Sequence, residues 1–156
     1  MSGAYMVRQL PPWFENVGKR VVKSPKVHVR DSGLLHALLG IPDEAALSGH
    51  PKLGASWEGF VIEQILAWAG ERNAYFWATH SRAELDLMVP AKGQRWGFEI
   101  KYQDAPTITK SMRIAMQDLK LAKLWVVYPG PTGYPMDEQI ECVSPAELGR
   151  VREALT

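Results

Sequence analysis

The stretch AELDLMVPAKGQRWGFEIKYQ, residues 83 to 103, sets Asp86 inside one apolar run and the triplet Glu99-Ile100-Lys101 inside the next. Charges within runs this rich in Leu, Val and aromatics are costly to bury alone, so they are compensated by one another or by something charged. Side chains alternate along a strand, which puts Glu99 and Lys101 on one face and Phe98, Ile100 and Tyr102 on the other. By the same rule Asp86 opposes Leu85 and Leu87. If the two strands pair as a hairpin through the turn AKGQ, two carboxylates and a lysine converge on one side of the sheet. Magnesium takes oxygen ligands, typically one or two carboxylates completed by water and phosphate. Such a cation activates water and offsets charge developing on a phosphodiester, while a neighbouring lysine stabilises that charge. Without a ligand, the same residues read as a Glu99–Lys101 or Asp86–Lys101 ion pair at a sheet edge. The triplet taken alone favours that pairing, because Glu-x-Lys is frequent by chance.

The preceding segment, ASWEGFVIEQILAWAG, supplies another acid. Glu58 stands three, four, seven and eight residues before Val61, Ile62, Ile65 and Leu66, so on a helix it lies along the apolar stripe that faces the sheet. A glutamate there needs a partner. Glu63 shares its side with Gly59 and Ala67 and is expected to be exposed. Ser56 is the expected cap of this helix and Gly70 its stop. Glu84 shares the Asp86 face, as a third carboxylate or a residue of the rim. His80, at a strand end, reads as incidental, and Trp57, Trp68, Trp77, Trp96 and Trp125 read as core rather than base-stacking platforms.

These side chains must be positioned by the rest of the chain. AYFWATH, AELDLMVP and RWGFEIKYQ are strands; TITKSMRIAMQDLKLA is a helix with Ile108, Met112, Ala115, Met116 and Leu119 on one face. KLWVVYP and QIECVS are further strands, and PAELGRVREAL closes with a helix that has Pro145 at its start. The order α-β-β-β-α-β predicts an α/β fold with a mixed sheet flanked by helices. Ahead of it, YMVRQL and KVHVRD read as a hairpin with a long connection, and DSGLLHALLGI as a short capped helix. The expected division is an N-terminal hairpin, short helix and linker over 1–51 and an α/β domain over 52–156.

The chain has 156 residues, 46% of them apolar, enough for one compact domain with a real core. The single cysteine excludes an internal disulfide and a zinc-type cysteine cluster, which points to a reducing, cytoplasmic setting. No apolar run is long enough to span a bilayer, so no membrane partner is expected. Within the first thirty residues Arg8, Lys19, Arg20, Lys23, Lys26 and Arg30 face only Glu15, against a net charge of +1 for the whole chain. Lys19, Arg20, Lys23 and Lys26 are the candidate contacts to nucleic acid or an acidic partner, the alternative being a solvated basic loop.

The glycine-to-glutamate stretch Gly54-Ala-Ser-Trp-Glu58, then Asp86, then Glu99-Ile100-Lys101, in that order of elements, resembles the PD-(D/E)xK nuclease-like superfamily. That resemblance implies a restriction-endonuclease-like core with Glu58, Asp86, Glu99 and Lys101 as its catalytic residues. It further implies a Mg2+ or Mn2+ site at Asp86, Glu99 and the carbonyl of Ile100, and DNA as substrate. Over nearly the whole chain, LPPWFENVGKRVVKSPKVHVRDSGLLHALLGI, WEGFVIEQIL and AELDLMV…FEIK resemble the C-terminal domain of unknown function of prokaryotic AAA-type ATP-binding proteins. In that family an ATPase domain and a winged-helix region precede this part, so the opening hairpin resembles a wing. The phosphate-binding Gly-x-x-x-x-Gly-Lys-Ser/Thr is absent, and ATP hydrolysis is not expected from these residues. The expected function is a metal-dependent nuclease-like domain; the alternative is a non-catalytic nucleic-acid- or protein-binding module serving an ATPase partner.

Overall fold

The computed structural model describes residues 5–14 and 24–155. Two short strands come first, β1 (Val7–Leu10) and β2 (Lys26–Val29), followed by helices α1 (Ser32–Leu38), α2 (Glu44–Ser48) and α3 (Leu53–Ala69). Then come β3 (Tyr75–Ala78), β4 (Glu84–Ala91), β5 (Gln94–Ile100), α4 (Lys110–Leu119) and β6 (Lys123–Val127). The chain continues with β7 (Tyr134–Pro135) and β8 (Ile140–Val143), and a 3-10 turn over Pro145–Glu147 leads into α5 (Leu148–Leu155). Strands β3 to β8 form one six-stranded mixed sheet in the order β3-β4-β5-β6-β8-β7. Its β3-β4 and β4-β5 pairs are antiparallel and its β5-β6 and β6-β8 pairs parallel. Helix α4 is the crossover that parallel pairing of β5 with β6 requires. The α/β class, the mixed sheet and the flanking helices are as the sequence predicts; the two-residue β7 is an addition.

Each face of the sheet carries its own core. On one, Val61, Ile62, Ile65 and Leu66 of α3 and Val151 and Leu155 of α5 pack with Phe76, Leu87, Val89, Phe98 and Val127. On the other, Met112, Ala115 and Leu119 of α4 pack with Leu85, Met88, Leu124, Val126 and Cys142. Each such fully buried aliphatic contributes roughly 1.5–3 kcal/mol of transfer free energy, which is what holds the helices in place. Gly97 lets α4's layer approach β5: a Cβ there would lie 2.6 Å from Leu121 Cδ1. Trp77 and Trp125 are core, and Trp57, Trp68 and Trp96 pack partly buried against the α3 layer.

Strict alternation fails in β4. Its register with β3 steps from Tyr75↔Met88 to Trp77↔Leu85, so β4 has one residue more than its partner between those pairs. This is a β-bulge, a device that bends a strand and re-aims a side chain. Leu85 and Leu87, expected on one face, therefore fall in opposite core layers, and Asp86 sits at the bulge between them.

The β1–β2 hairpin is seated on the main domain. Leu10 is buried in the α3-side core. Trp13 N donates to Phe76 O at 2.7 Å and Phe76 N donates to Pro11 O at 3.0 Å, which ties the segment after β1 to the edge strand β3. Two-stranded hairpins are at best marginal alone, and these contacts supply the missing support. Helix α3 begins three residues before the expected cap, so Ser56 is not a cap; it lies buried inside the helix, with its hydroxyl 2.7 Å from His36 Nε2. Among the described residues no helix is long and apolar enough to cross a membrane.

Candidate functional site

Asp86 is placed by the bulge at the start of β4, with 4% of its surface exposed. Its Oδ2 accepts the backbone N–H of Ile100 at 2.9 Å, tying β4 to the end of β5. Its Oδ1 accepts from Lys26 Nζ at 3.2 Å, and the same ammonium donates to Glu58 Oε1 of α3 at 2.9 Å. Glu99, 2% exposed, takes the face opposite Phe98 and Ile100, as alternation predicts, and its Oε1 lies 2.6 Å from Lys101 Nζ. Its other oxygen, Oε2, is buried and has no hydrogen-bond partner among the described residues.

The structure thus arranges Glu58, Asp86, Glu99 and Lys101, together with Lys26, in three ion pairs around the β4–β5 junction. Glu58 and Asp86 share Lys26, Glu99 holds Lys101, and Asp86 reaches β5 through the Ile100 amide. Both glutamates are hard to ionise. Burial, then the Asp86 charge, pushes Glu99 up to about 7, with Lys101 opposing only in part. Burial and the Asp86 charge likewise raise Glu58 against the pull of Lys26. Both lysines stay charged: burial works against Lys26 and Lys101, and the facing carboxylates outweigh it. Glu84 lies at the exposed rim, where its backbone N–H and carbonyl both engage Ser111 Oγ. Its charge adds to the load on Glu58 and Glu99. His80 is exposed on the turn before β4.

Of the four basic residues considered for nucleic-acid contact, Lys19, Arg20 and Lys23 lie outside the described residues. Lys26 points inward to the two acids rather than to solvent. One signal of this was present in the sequence: in Lys26-Val27-His28-Val29 the polar residues share a face, and the structure turns that face inward while Val27 is 60% exposed. Glu63, expected to be exposed, is half-buried under the hairpin. Arg8 Nε and Nη2 donate to its two oxygens at 2.6 and 2.9 Å, and Arg30 Nε donates at 2.9 Å. A basic hairpin covering a second face of α3 leaves no trace in the spacing of that helix's apolar residues.

The donor set is all oxygen and acidic. Among the described residues no three His, Cys, Asp or Glu side chains are grouped to hold a metal ion. A hard cation satisfied by one or two carboxylates, water and phosphate does not need such a group. The orphaned Glu99 Oε2 is the observation that fits a ligand of this kind, since a buried carboxylate oxygen without a partner is costly unless something positive meets it.

Fold and site together define a small mixed-sheet α/β domain with an acid- and lysine-lined junction at one end of its two central antiparallel strands. Residues 53–148 match the family model described as a domain of unknown function (DUF4143), and the chain belongs to that family. Residues 1–45 match a second model, also described as a domain of unknown function (DUF8612). The chain is 52% identical to uncharacterized proteins of Mycobacterium bovis (Mb2031c) and Mycobacterium tuberculosis (Rv2008c), over 99% of its own length and 36% of theirs. It therefore spans about a third of the length of the curated relatives it matches. No solved structure matches.

Proposed function

We propose that the junction is a Mg2+- or Mn2+-dependent phosphodiesterase site of the PD-(D/E)xK kind, acting on DNA, within a domain that works as the C-terminal part of an AAA-type ATP-binding protein. The observation that carries this reading is the buried Glu99 carboxylate, raised toward neutrality, with one oxygen on Lys101 and the other unpartnered. Asp86, Glu99 and the carbonyl of Ile100 would hold the cation. When bound, it would supply an activated water and offset charge on the phosphodiester. In the metal-free protein Glu58 and Asp86 are held together by their common ammonium, that of Lys26. Lys101 sets a fixed positive charge beside Glu99, where negative charge builds in the transition state. Lys19, Arg20 and Lys23 are the proposed phosphate contacts.

A second reading is favoured by one contact. Lys26 already neutralises Glu58 and Asp86, which suits a binding module that keeps the nuclease-like arrangement without its chemistry. Manganese titration separates the two. Saturable binding to the wild-type chain, lost in Asp86→Ala, is expected of the metal site. Equal binding by both proteins, or none by either, removes the metal site and leaves the binding module.

A further inference from the structure

The hairpin contributes a cation to a cluster otherwise built from α3, β4 and β5. Lys26 opens β2, opposite Leu10 in the β1–β2 register. With Val27 turned out, its side chain runs over the Phe76 ring, 5.8 Å from Nζ to the centroid, and ends between Glu58 Oε1 and Asp86 Oδ1. Those two carboxylates, on different elements, share this one ammonium. Arg8 and Arg30 separately fasten the hairpin to Glu63 and Glu71.

Resting on the metal-site reading above, we propose that Lys26 is an internal counter-cation of the site, holding the Glu58–Asp86 edge in the metal-free protein and competing there with a divalent cation. Magnesium binds carboxylate oxygen at about 2.0–2.1 Å. An ammonium hydrogen-bonded to the same Asp86 oxygen would then stand within a few ångströms of a doubly charged ion and would occupy an acceptor position that the ion needs. The two occupants are exclusive. A lysine suits this role better than an arginine, because it is a point charge on a flexible four-carbon stem and can swing away without moving β2. Metal affinity is then lowered by the fraction of molecules in which Lys26 is in place, so whatever draws the lysine off also loads the site. An anionic phosphate at the junction would do so, linking substrate arrival to metal binding.

The test is manganese titration of the full chain as wild type, Lys26→Met, Lys26→Arg and Asp86→Ala, with far-UV circular dichroism to confirm folding. Lys26→Met is expected to bind Mn2+ about tenfold or more tightly than wild type, in the usual range for coupled sites. Lys26→Arg, which keeps the charge, should bind no more tightly than wild type. If wild type binds Mn2+ through Asp86 and Lys26→Met binds no better, the competition is overturned while the metal site stands. If neither wild type nor Lys26→Met binds, the metal reading fails and this inference with it. A readout on the wild-type chain covers the case of an unfolded variant: acylation of Lys26 by an amine reagent, followed by peptide mass spectrometry. Labelling should rise at saturating Mn2+, and unchanged labelling at saturation overturns the competition.

Discussion

Two groups of charges meet α3 five residues apart, and they are built on opposite principles. At Glu63 the cations are guanidinium forks: Arg8 and Arg30 donate to both carboxylate oxygens and extend to Glu71. Burial alone would raise Glu63, yet the hydrogen bonds from Arg8 and Arg30 hold it below the ordinary carboxylate range. At Glu58 the cations are lysines, each a single point charge, and the acids outnumber them. Glu58 and Glu99 are both pushed up, and one Glu99 oxygen is left without a partner. The first cluster uses its acceptors on its own cations and works as a clasp for the hairpin. The second has acceptor capacity left over and can take a further positive group. Perturbation toward the neutral form beside unused acceptors is the property that the proposed function would use.

The sharpest way to break the comparison is to open the clasp. Glu63→Ala leaves the buried Arg8 and the half-buried Arg30 short of their main partner, and losing one side of a buried pair costs about 3–5 kcal/mol. Urea unfolding should show that loss. Glu71→Ala, at the exposed end of the same network, should lose under about 1 kcal/mol. Equal effects would mean that the network is a surface feature and not a clasp.

On the other cluster the corresponding loss is of rate. Lys101→Met keeps most of the side-chain stem and removes the charge beside Glu99. Under the proposed function it should lower Mg2+-dependent DNA cleavage by about two orders of magnitude, the usual effect of deleting one electrostatic stabiliser, with manganese binding largely intact. Wild-type protein that cleaves neither single-stranded, double-stranded nor branched DNA with either metal would leave the second cluster a binding feature.

The pH dependence is the most diagnostic, because the two acids give slopes of opposite sign. Glu99 has a folded-state value near 7 against an ordinary 4.5. Between those values the folded chain holds a proton that the unfolded chain releases. Its contribution to stability is present below about 4.5 and is lost as pH rises through about 7. Glu63, held low, contributes stability above its ordinary value that is lost as pH falls. Denaturation midpoints across pH 4 to 8 should show the Glu99 slope disappear in Glu99→Gln. A Glu99→Gln profile parallel to wild type would show that Glu99 ionises normally.

Much of this was legible in order and much was not. The strands and helices from α3 to β6 follow local periodicity, so the α/β class and the mixed sheet could be read from residue spacing. The Glu99–Lys101 pair was legible for the same reason, since two residues apart on a strand means the same face. The surroundings of Asp86 were not. Its bulge arises from pairing with β3, which alternation within β4 cannot reveal. The basic excess of the first thirty residues was visible, but its destination was misleading. Arg8, Lys26 and Arg30 are consumed by Glu58, Asp86, Glu63 and Glu71 inside the molecule, while the periodicity of α3 left Glu63 on a face that looked free.

The amino-acid sequence by itself determined which residue types can carry charge chemistry, which lie on a common face, and in what order the elements follow. These are consequences of a 3.6-residue helix and a two-residue strand repeat, each complete within a few neighbours. Only the tertiary structure decided how the charges other than Glu99 and Lys101 are paired. It gave Glu63 its arginines and Lys26 its two acids, and it left Glu99 with a spare oxygen. The partners of Glu63 and Lys26 lie more than thirty positions away, and the strength of such pairing depends on burial and distance, neither of which is a property of the local chain.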